Sequence, residues 1–421
     1  MSSRAPLSPD ARRVIAAQAL RAFAYGLASL LLGTTLSRRG LNATEVGMVL
    51  ASIVAGTVAM SLAVARWSDR VGRRRWYASL YATLAVAGVV YAFAGQLWLL
   101  VAAGLTGTLS TDIIDNGPFT SLEQTMLATD LAGRERIRGF GVYNAVATAA
   151  GSLGALSAAG FAYLRRHHPG LPVDRRLFLL LVPVALVGAA VARSTSNRVE
   201  TEHPASTPRR QLGPSRPVVL RLASLFSLDA LGGGFVIQAF IAYWLTARFH
   251  TSLGVLGVLF FAIGLLQTAS FLAATRLAER FGLLSTMVFT HLPSNLLLAA
   301  IAFAPSEGAA IGLLLARSAL ASMDIPARQA YVMALVEPQE RAGAAGYTNT
   351  VRYLVRPIGP ILAGAGQGLF IGMPFLAAGA IKSAYDVVLW RWFRRVPLPA
   401  TTVTGDGVHR AATGTPPEGP T

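Results

Sequence analysis

There is no cysteine in the 421 residues, and one lysine, Lys382, stands beside 36 arginines. Without thiols the chain has neither disulfides nor thiolate metal sites, and no redox compartment can be read from it. Charge is scarce: Asp, Glu, Lys and Arg make up 14% of the residues, against about a quarter in soluble domains. A soluble protein of this length buries a large core but needs more polar residues than this to cover it. The six histidines show no metal-ligand spacing, and His167-His168 falls in a polar loop. No Gly-x-x-x-x-Gly-Lys-Ser/Thr loop is present, so the chain has no cradle for ATP phosphates. No nucleophile–base pair stands out either. The expectation is a protein with no metal and no cofactor that is not an enzyme.

What the chain has is apolar length. It is 53% hydrophobic, with a mean hydropathy of +0.51. About 20 apolar residues cross a bilayer as a helix, and single polar residues inside such runs are tolerated at functional sites. On that basis the sequence predicts twelve spans: 13–37, 44–66, 76–95, 97–125, 138–164, 176–193, 218–247, 253–276, 283–304, 307–335, 341–369 and 372–395. The first is longer than a signal-peptide core and lacks a small-residue cleavage site at a sensible distance, so it is expected to be retained. Spans 4, 10 and 11 carry charges.

Net charge is +17, which by count alone suggests nucleic acid. Placement argues otherwise. The stretch RWSDRVGRRRW, residues 66–76, holds five arginines between two apolar spans. Together with the loops on its side of the bilayer it brings about 23 arginines to one face, against about seven on the other, and the positive-inside rule makes the rich face cytoplasmic. Both termini then lie in the cytoplasm of a cell (cytoplasmic or inner) membrane. No soluble domain is left to hold nucleic acid, so the bilayer is the expected partner.

The polar, Pro/Ser/Thr/Arg-rich segment 194–217 reads as a cytoplasmic linker. It follows a cytoplasmic N-terminus (1–12) and a six-span bundle (13–193). It precedes a second six-span bundle (218–395) and a tail, 396–421, whose composition predicts disorder. The halves echo each other: SDRVG at 68–72 matches AERFG at 278–282, offset by 210. RERIRGFGVYN at 134–144 matches QERAGAAGYTN at 339–349, offset by 205 from Glu135 to Glu340. Pro118 and Pro326 sit in the inner halves of the spans just before that second pair. Parallel six-helix repeats are a transporter plan.

SDRVGRRR resembles the loop between helices 2 and 3 of the major facilitator superfamily, Gly-x-x-x-Asp-Arg-x-Gly-Arg-Arg/Lys. Asp69, Arg70, Gly72, Arg73 and Arg74 match, and Ala65 stands at the leading glycine. With twelve spans and a degenerate second copy at Glu279, Arg280 and Gly282, the resemblance covers residues 13 to 395. It implies an all-α membrane fold of two pseudo-symmetric six-helix bundles. It also implies a conformational latch at Asp69, Arg70, Gly72, Arg73 and Arg74, which in the family holds the halves together on the cytoplasmic side of the outward-open state. Locally, Gly72 suits a tight turn, and Asp69 suits a helix N-terminus and an arginine. The GSLGALSAAG stripe at 151–160 resembles the family's antiporter motif only loosely, without its Gly-Pro core. The family's helix-4 arginine motif is absent.

Ionisable groups at bilayer depth are costly unless paired or wet. They are Arg21 in span 1, Asp112 and Asp115 in span 4, Asp229 in span 7, Arg317, Asp324 and Arg328 in span 10, Arg352 and Arg356 in span 11, and Lys382 and Asp386 in span 12. The resemblance places spans 1, 4, 7 and 10 around a central cavity. Arg21 is expected to pair with Asp112 or Asp115, and Asp229 with Arg317 or Arg328. Asp112 and Asp115 share a helix face; the pair is either a proton carrier or a partner for neighbouring arginines. Arg352 and Arg356 either attract an anionic substrate or pair with carboxylates of spans 7 and 10. Lys382 and Asp386, at i,i+4, are expected to pair within their helix. Tyr25, Asn116, Gln124, Gln238, Tyr243, Gln329, Tyr331, Asn349 and Tyr353 offer hydrogen bonds near the expected cavity, either to a substrate or between helices.

The resulting expectation is a secondary transporter for a small molecule, an efflux-type member of that superfamily, with proton coupling and a monomeric state expected. Proton- or ion-coupled uptake of a polar metabolite is the alternative, and a non-transporting sensor or scaffold on the same fold is a third.

Overall fold

A computed structural model describes residues 7–111, 117–131, 133–171, 174–200, 213–337 and 340–396. Among them every regular element is helical. The first half contains α1 (Pro9–Arg38), α2 (Ala43–Val71), α3 (Arg73–Phe93), α4 (Leu97–Leu105), α5 (Pro118–Asp130), α6 (Gly133–His167) and α7 (Leu181–Ser194). The second contains α8 (Arg216–Phe235), α9 (Gln238–Phe249), α10 (Leu253–Phe281), α11 (Leu283–Ile301), α12 (Glu307–Ala321), α13 (Asp324–Leu335), α14 (Arg341–Val355), α15 (Ile358–Gln367) and α16 (Met373–Phe393). Short 3₁₀ turns precede and follow α7, at Asp174–Leu180 and Asn197–Val199. The tail 397–421 and linker residues 201–212 lie outside the described residues.

Helix starts follow local chemistry. Asn42 and Glu45 form a reciprocal capping box at α2, with bonds of 2.9 and 2.8 Å. Ser8, Ser252 and Ser306 cap α1, α10 and α12 through their hydroxyls. The two copies of the loop motif end their helices alike: Gly72 (φ +101°) follows α2 and Gly282 (φ +84°) follows α10. A side chain is strained at such angles, so the repeat seen in sequence is also a repeat in backbone geometry.

Spans 4, 7, 10 and 11, predicted as continuous, are each two helices. Proline accounts for two breaks, because its ring clashes with the carbonyl four residues back and it donates no N–H. Pro326 disfavours helix through Ser322, between α12 and α13. Pro357 and Pro360 do the same between α14 and α15, and Pro118 opens α5 after the interruption that follows α4. Span 7 breaks after Gly232-Gly233-Gly234, a weak helical stretch. The breaks of spans 7 and 11 touch: a Cβ on Gly359 would lie 2.4 Å from the Gly234 carbonyl carbon.

Nine stretches of the described helices are long and apolar enough to span a membrane. The remaining predicted spans, 4, 11 and 12, are interrupted or charge-bearing. The two halves meet on the face away from the arginine-rich loops, through α1 with α9, α2 with α15 and α6 with α10. Glycines permit this approach. A Cβ on Gly33 would stand 2.4 Å from the Ala239 oxygen, one on Gly47 2.5 Å from the Pro360 oxygen, and one on Gly257 2.7 Å from the Ala155 oxygen. Gln238 also donates to Ser29 Oγ across the halves at 2.9 Å. Toward the arginine-rich face, α2 and α14 separate around a cavity of about 160 Å³ lined by Thr57, Ser61 and Tyr353.

Candidate functional site

Two buried polar clusters occupy the bundles. In the first half, α5 presents Phe119, Leu122, Glu123, Met126 and Leu127 on one buried face. Glu123 is thus an acid on an apolar stripe, a signal the sequence held and the span-by-span reading missed. Its carboxylate accepts from Arg21 Nη2 of α1 at 2.7 Å, and from the hydroxyls of Tyr77 of α3 and Tyr143 of α6, both at 2.6 Å. Arg21 and Glu123 are 1% and 0% exposed. The Arg21 guanidinium also lies 4.7 Å from the centre of the Phe119 ring. A buried charge is tolerated when it is paired and hydrogen-bonded in this way. The expected partners Asp112 and Asp115 lie outside the described residues.

The second cluster is centred on Asp229 of α8. Lys382 of α16 donates to Asp229 Oδ1, Arg328 of α13 lies 3.1 Å from Oδ2, and Arg352 of α14 lies 3.7 Å from it. Arg328 also pairs with Asp324 at 3.0 Å. Arg317 of α12 adds its field to the same carboxylate. His291 of α11 bridges two acids: its Nε2 is 3.8 Å from Asp229 and its Nδ1 3.0 Å from Asp386. Asn295 donates to Asp386 at 2.8 Å.

The expected pair Lys382–Asp386 is therefore corrected. Although i,i+4 on one helix, each side chain finds a better partner on a neighbouring helix: Lys382 on α8 and Asp386 on α11. His291 and Asn295 were not singled out from the sequence. Their i,i+4 spacing within an apolar run was the available signal. Arg356 caps α14 at the break, where its carbonyl packs on Gly234.

Beside this cluster, α8, α13 and α14 enclose a cavity of about 320 Å³. Arg328, Gln329, Thr348, Asn349 and Arg352 supply its polar lining, and Phe226, Val332 and Met333 its apolar lining.

The loop motif makes local contacts. Arg73 pairs with Asp69 at 2.8 Å and donates to Thr129 Oγ1 at 2.7 Å and the Val199 carbonyl at 3.1 Å. Arg74 donates to Asn197 Oδ1 at 2.8 Å and the Arg193 carbonyl at 2.5 Å, while Arg70 is exposed. The Glu200 carboxylate accepts from the backbone N–H groups of Arg73 and Arg74 at 2.8 and 3.1 Å, an anion at the N-terminus of α3. Among the described residues these partners all belong to the first half and the segment just after it.

Two helical bundles, in close glycine contact at one face and with a cavity between them toward the other, with charged clusters beside broken helices, define a membrane carrier of the alternating-access class. The Major Facilitator Superfamily profile matches residues 14–360, and the chain belongs to that superfamily. The uncharacterized membrane protein YJR124C of Saccharomyces cerevisiae is 22% identical over 418 residues, spanning 91% of this chain and 93% of its own. Among solved structures, the nucleoside transporter NupG superposes with a TM-score of 0.70 at 14% identity, over 92% of this chain and 98% of its own. A bacterial homolog of the human lysosomal transporter Spinster, inward-facing and occupied, gives 0.69 at 14% identity, over 91% and 97%. The inward-open xylose transporter XylE from E. coli gives 0.68 at 13% identity, over 93% and 98%. At these identities the likeness is one of fold.

Proposed function

We propose that this chain is a proton-coupled exporter of a small molecule, working by alternating access in a cell membrane with both termini cytoplasmic. The carrying observation is the asymmetry of the two faces. Among the described residues the halves are zipped by glycine contacts on one side, while toward the arginine-rich side a cavity lies between α2 and α14; under the positive-inside rule we read this as a cytoplasm-facing state ready to load cargo. The Asp229 cluster supplies groups for coupling, since His291 joins two carboxylates and can carry a proton between them. Asp112 and Asp115 belong to the same proposed proton path. Asp69, Arg70, Gly72, Arg73 and Arg74 form the latch, which in this reading engages the second half when the cytoplasmic side closes. The carrier is proposed to work as a monomer.

The test is accumulation of a panel of dyes, drugs and toxic metabolites in an efflux-deficient host, with wild type and Asp229→Asn at matched membrane expression. The expected result is lower accumulation of at least one compound with wild type and not with the variant. The density of charge around Asp229 favours a second reading, uptake of a polar metabolite. Raised accumulation of a labelled metabolite in the same cells selects it over export.

A further inference from the structure

Around Asp229, four cationic side chains (Arg317, Arg328, Arg352 and Lys382) face three carboxylates, Asp229, Asp324 and Asp386. The short contacts use up the carboxylates unevenly. Lys382 takes Asp229, Arg328 takes Asp324 and shares Asp229, and Asp386 is held by His291 and Asn295. Arg352 is left with one long contact, 3.7 Å to Asp229 Oδ2. Its Nε is buried and meets no hydrogen-bond partner. Yet the side chain is 27% exposed, and that exposure opens into the 320 Å³ cavity between α8, α13 and α14. Gln329 and Asn349 are exposed at the same cavity, with amide donors available, and Phe226 and Val332 give it an apolar wall. A guanidinium with unused donors beside a pocket of this size is a receptor for a carboxylate. The volume sits at the small end of ligand pockets.

We propose that this cavity is the substrate subsite and takes a small organic carboxylate, its charge on Arg352, its polar edge on Gln329 and Asn349, and its apolar body against Phe226 and Val332. The anion offsets the surplus positive charge of the cluster, so loading and the arrangement of the Asp229 pairs are linked. The proposal deepens the transporter reading and rests on it for calling the bound anion a substrate.

Benzoate, benzyl alcohol and benzylamine share one shape and differ in charge, so they serve as probes. Binding is read as thermal stabilisation of the purified full chain in detergent, and flux as uptake of labelled benzoate into proteoliposomes. Benzoate is expected to stabilise the wild type at concentrations up to about 10 mM, a weak-ligand regime, with no stabilisation by the alcohol or the amine. Arg352→Gln is expected to weaken benzoate binding about tenfold or more, as loss of a charge-assisted contact does, and Arg352→Lys to weaken it less. The melting temperature of each unliganded variant checks that it is folded, and the three-probe comparison needs no variant. Equal stabilisation by all three probes, stabilisation by the amine alone, no stabilisation by benzoate, or unchanged benzoate binding in Arg352→Gln each overturns the proposal. Benzoate binding without flux of any compound removes the transport reading and leaves the anion site. Export of panel compounds without benzoate binding does the reverse.

Discussion

Glu123 in the first half and Asp229 in the second each gather buried partners from several helices, but the two carboxylates are satisfied in different ways. Glu123 has one cation, Arg21, and two neutral donors, Tyr77 and Tyr143. Charge is balanced and the ring-lined surroundings are closed. Asp229 has Lys382, Arg328 and Arg352 within 4 Å and His291 at 3.8 Å. Cations there outnumber acids, and a cavity borders the excess. A balanced cluster locks helices together. An unbalanced one has alternative pairings close in energy, which an arriving anion or proton can select. The comparison assigns rigidity to the first half and responsiveness to the second.

The largest expected effect tests the rigid side. Glu123→Leu leaves the Arg21 charge buried without its carboxylate and should cost about 3–5 kcal/mol of stability, read as lost monodisperse protein in detergent or a steep fall in melting temperature. The double variant Arg21→Met with Glu123→Leu removes both charges and should recover most of that loss, since an apolar pair of similar volume is often neutral. Transport should recover with it. Recovered stability without recovered transport would move Glu123 into the transport cycle and break the comparison.

The same treatment of the second half should fail functionally. Asp229→Asn frees Lys382 and crowds three cations, and transport should fall by at least about tenfold, the scale of losing one charged contact. Adding Lys382→Met should restore folding but not flux, because Arg328 and Arg352 then still lack their shared acceptor. Flux regained by the double variant would make Asp229 a structural twin of Glu123.

How much of this was legible in sequence follows from which signals are local. Twelve spans and the repeat at Gly72 and Gly282 depend on runs and offsets along the chain, and the helical fold agrees with them; linker residues 201–212 lie outside the described residues. The breaks in spans 10 and 11 were written in Pro326, Pro357 and Pro360, but an apolar window averages over them. Partner choice was not legible. Lys382 and Asp386 satisfy the i,i+4 rule, yet across-helix partners supply more hydrogen bonds to a buried charge. Glu123, His291 and Asn295 escaped notice because their meaning depends on which helices the fold brings alongside.

A smaller effect is expected at His291. His291→Gln keeps a hydrogen bond toward Asp386 but cannot bridge both acids as an ionisable group. Flux down a substrate gradient should persist within about threefold, while stimulation by an imposed pH gradient is lost; a threefold change is well under 1 kcal/mol. Proteoliposomes with and without the gradient give both numbers. Unchanged stimulation would move the proposed proton coupling to the first half, to Asp112 and Asp115, and reverse the assignment of responsiveness.

The smallest effect is expected at the latch, where the comparison becomes one of states. Asp69 is 44% exposed and pairs with Arg73 on the next helix, and such pairs contribute about 0.2–1 kcal/mol. Asp69→Asn therefore cannot abolish folding, but a contribution of that size made in only one state shifts a two-state equilibrium up to about fivefold. The absence of cysteine lets the shift be read directly. Ser61→Cys places one thiol in the cavity between α2 and α14, the gap that must close when the other face opens. If Asp69 stabilises the closed arrangement of that gap, Asp69→Asn should speed maleimide labelling of Ser61→Cys by about two- to fivefold, with stability unchanged. An unchanged rate would mean that the motif only fastens its own turn, through Gly72, Arg73 and Glu200. The halves would then be held apart or together by the Asp229 cluster and the glycine contacts alone.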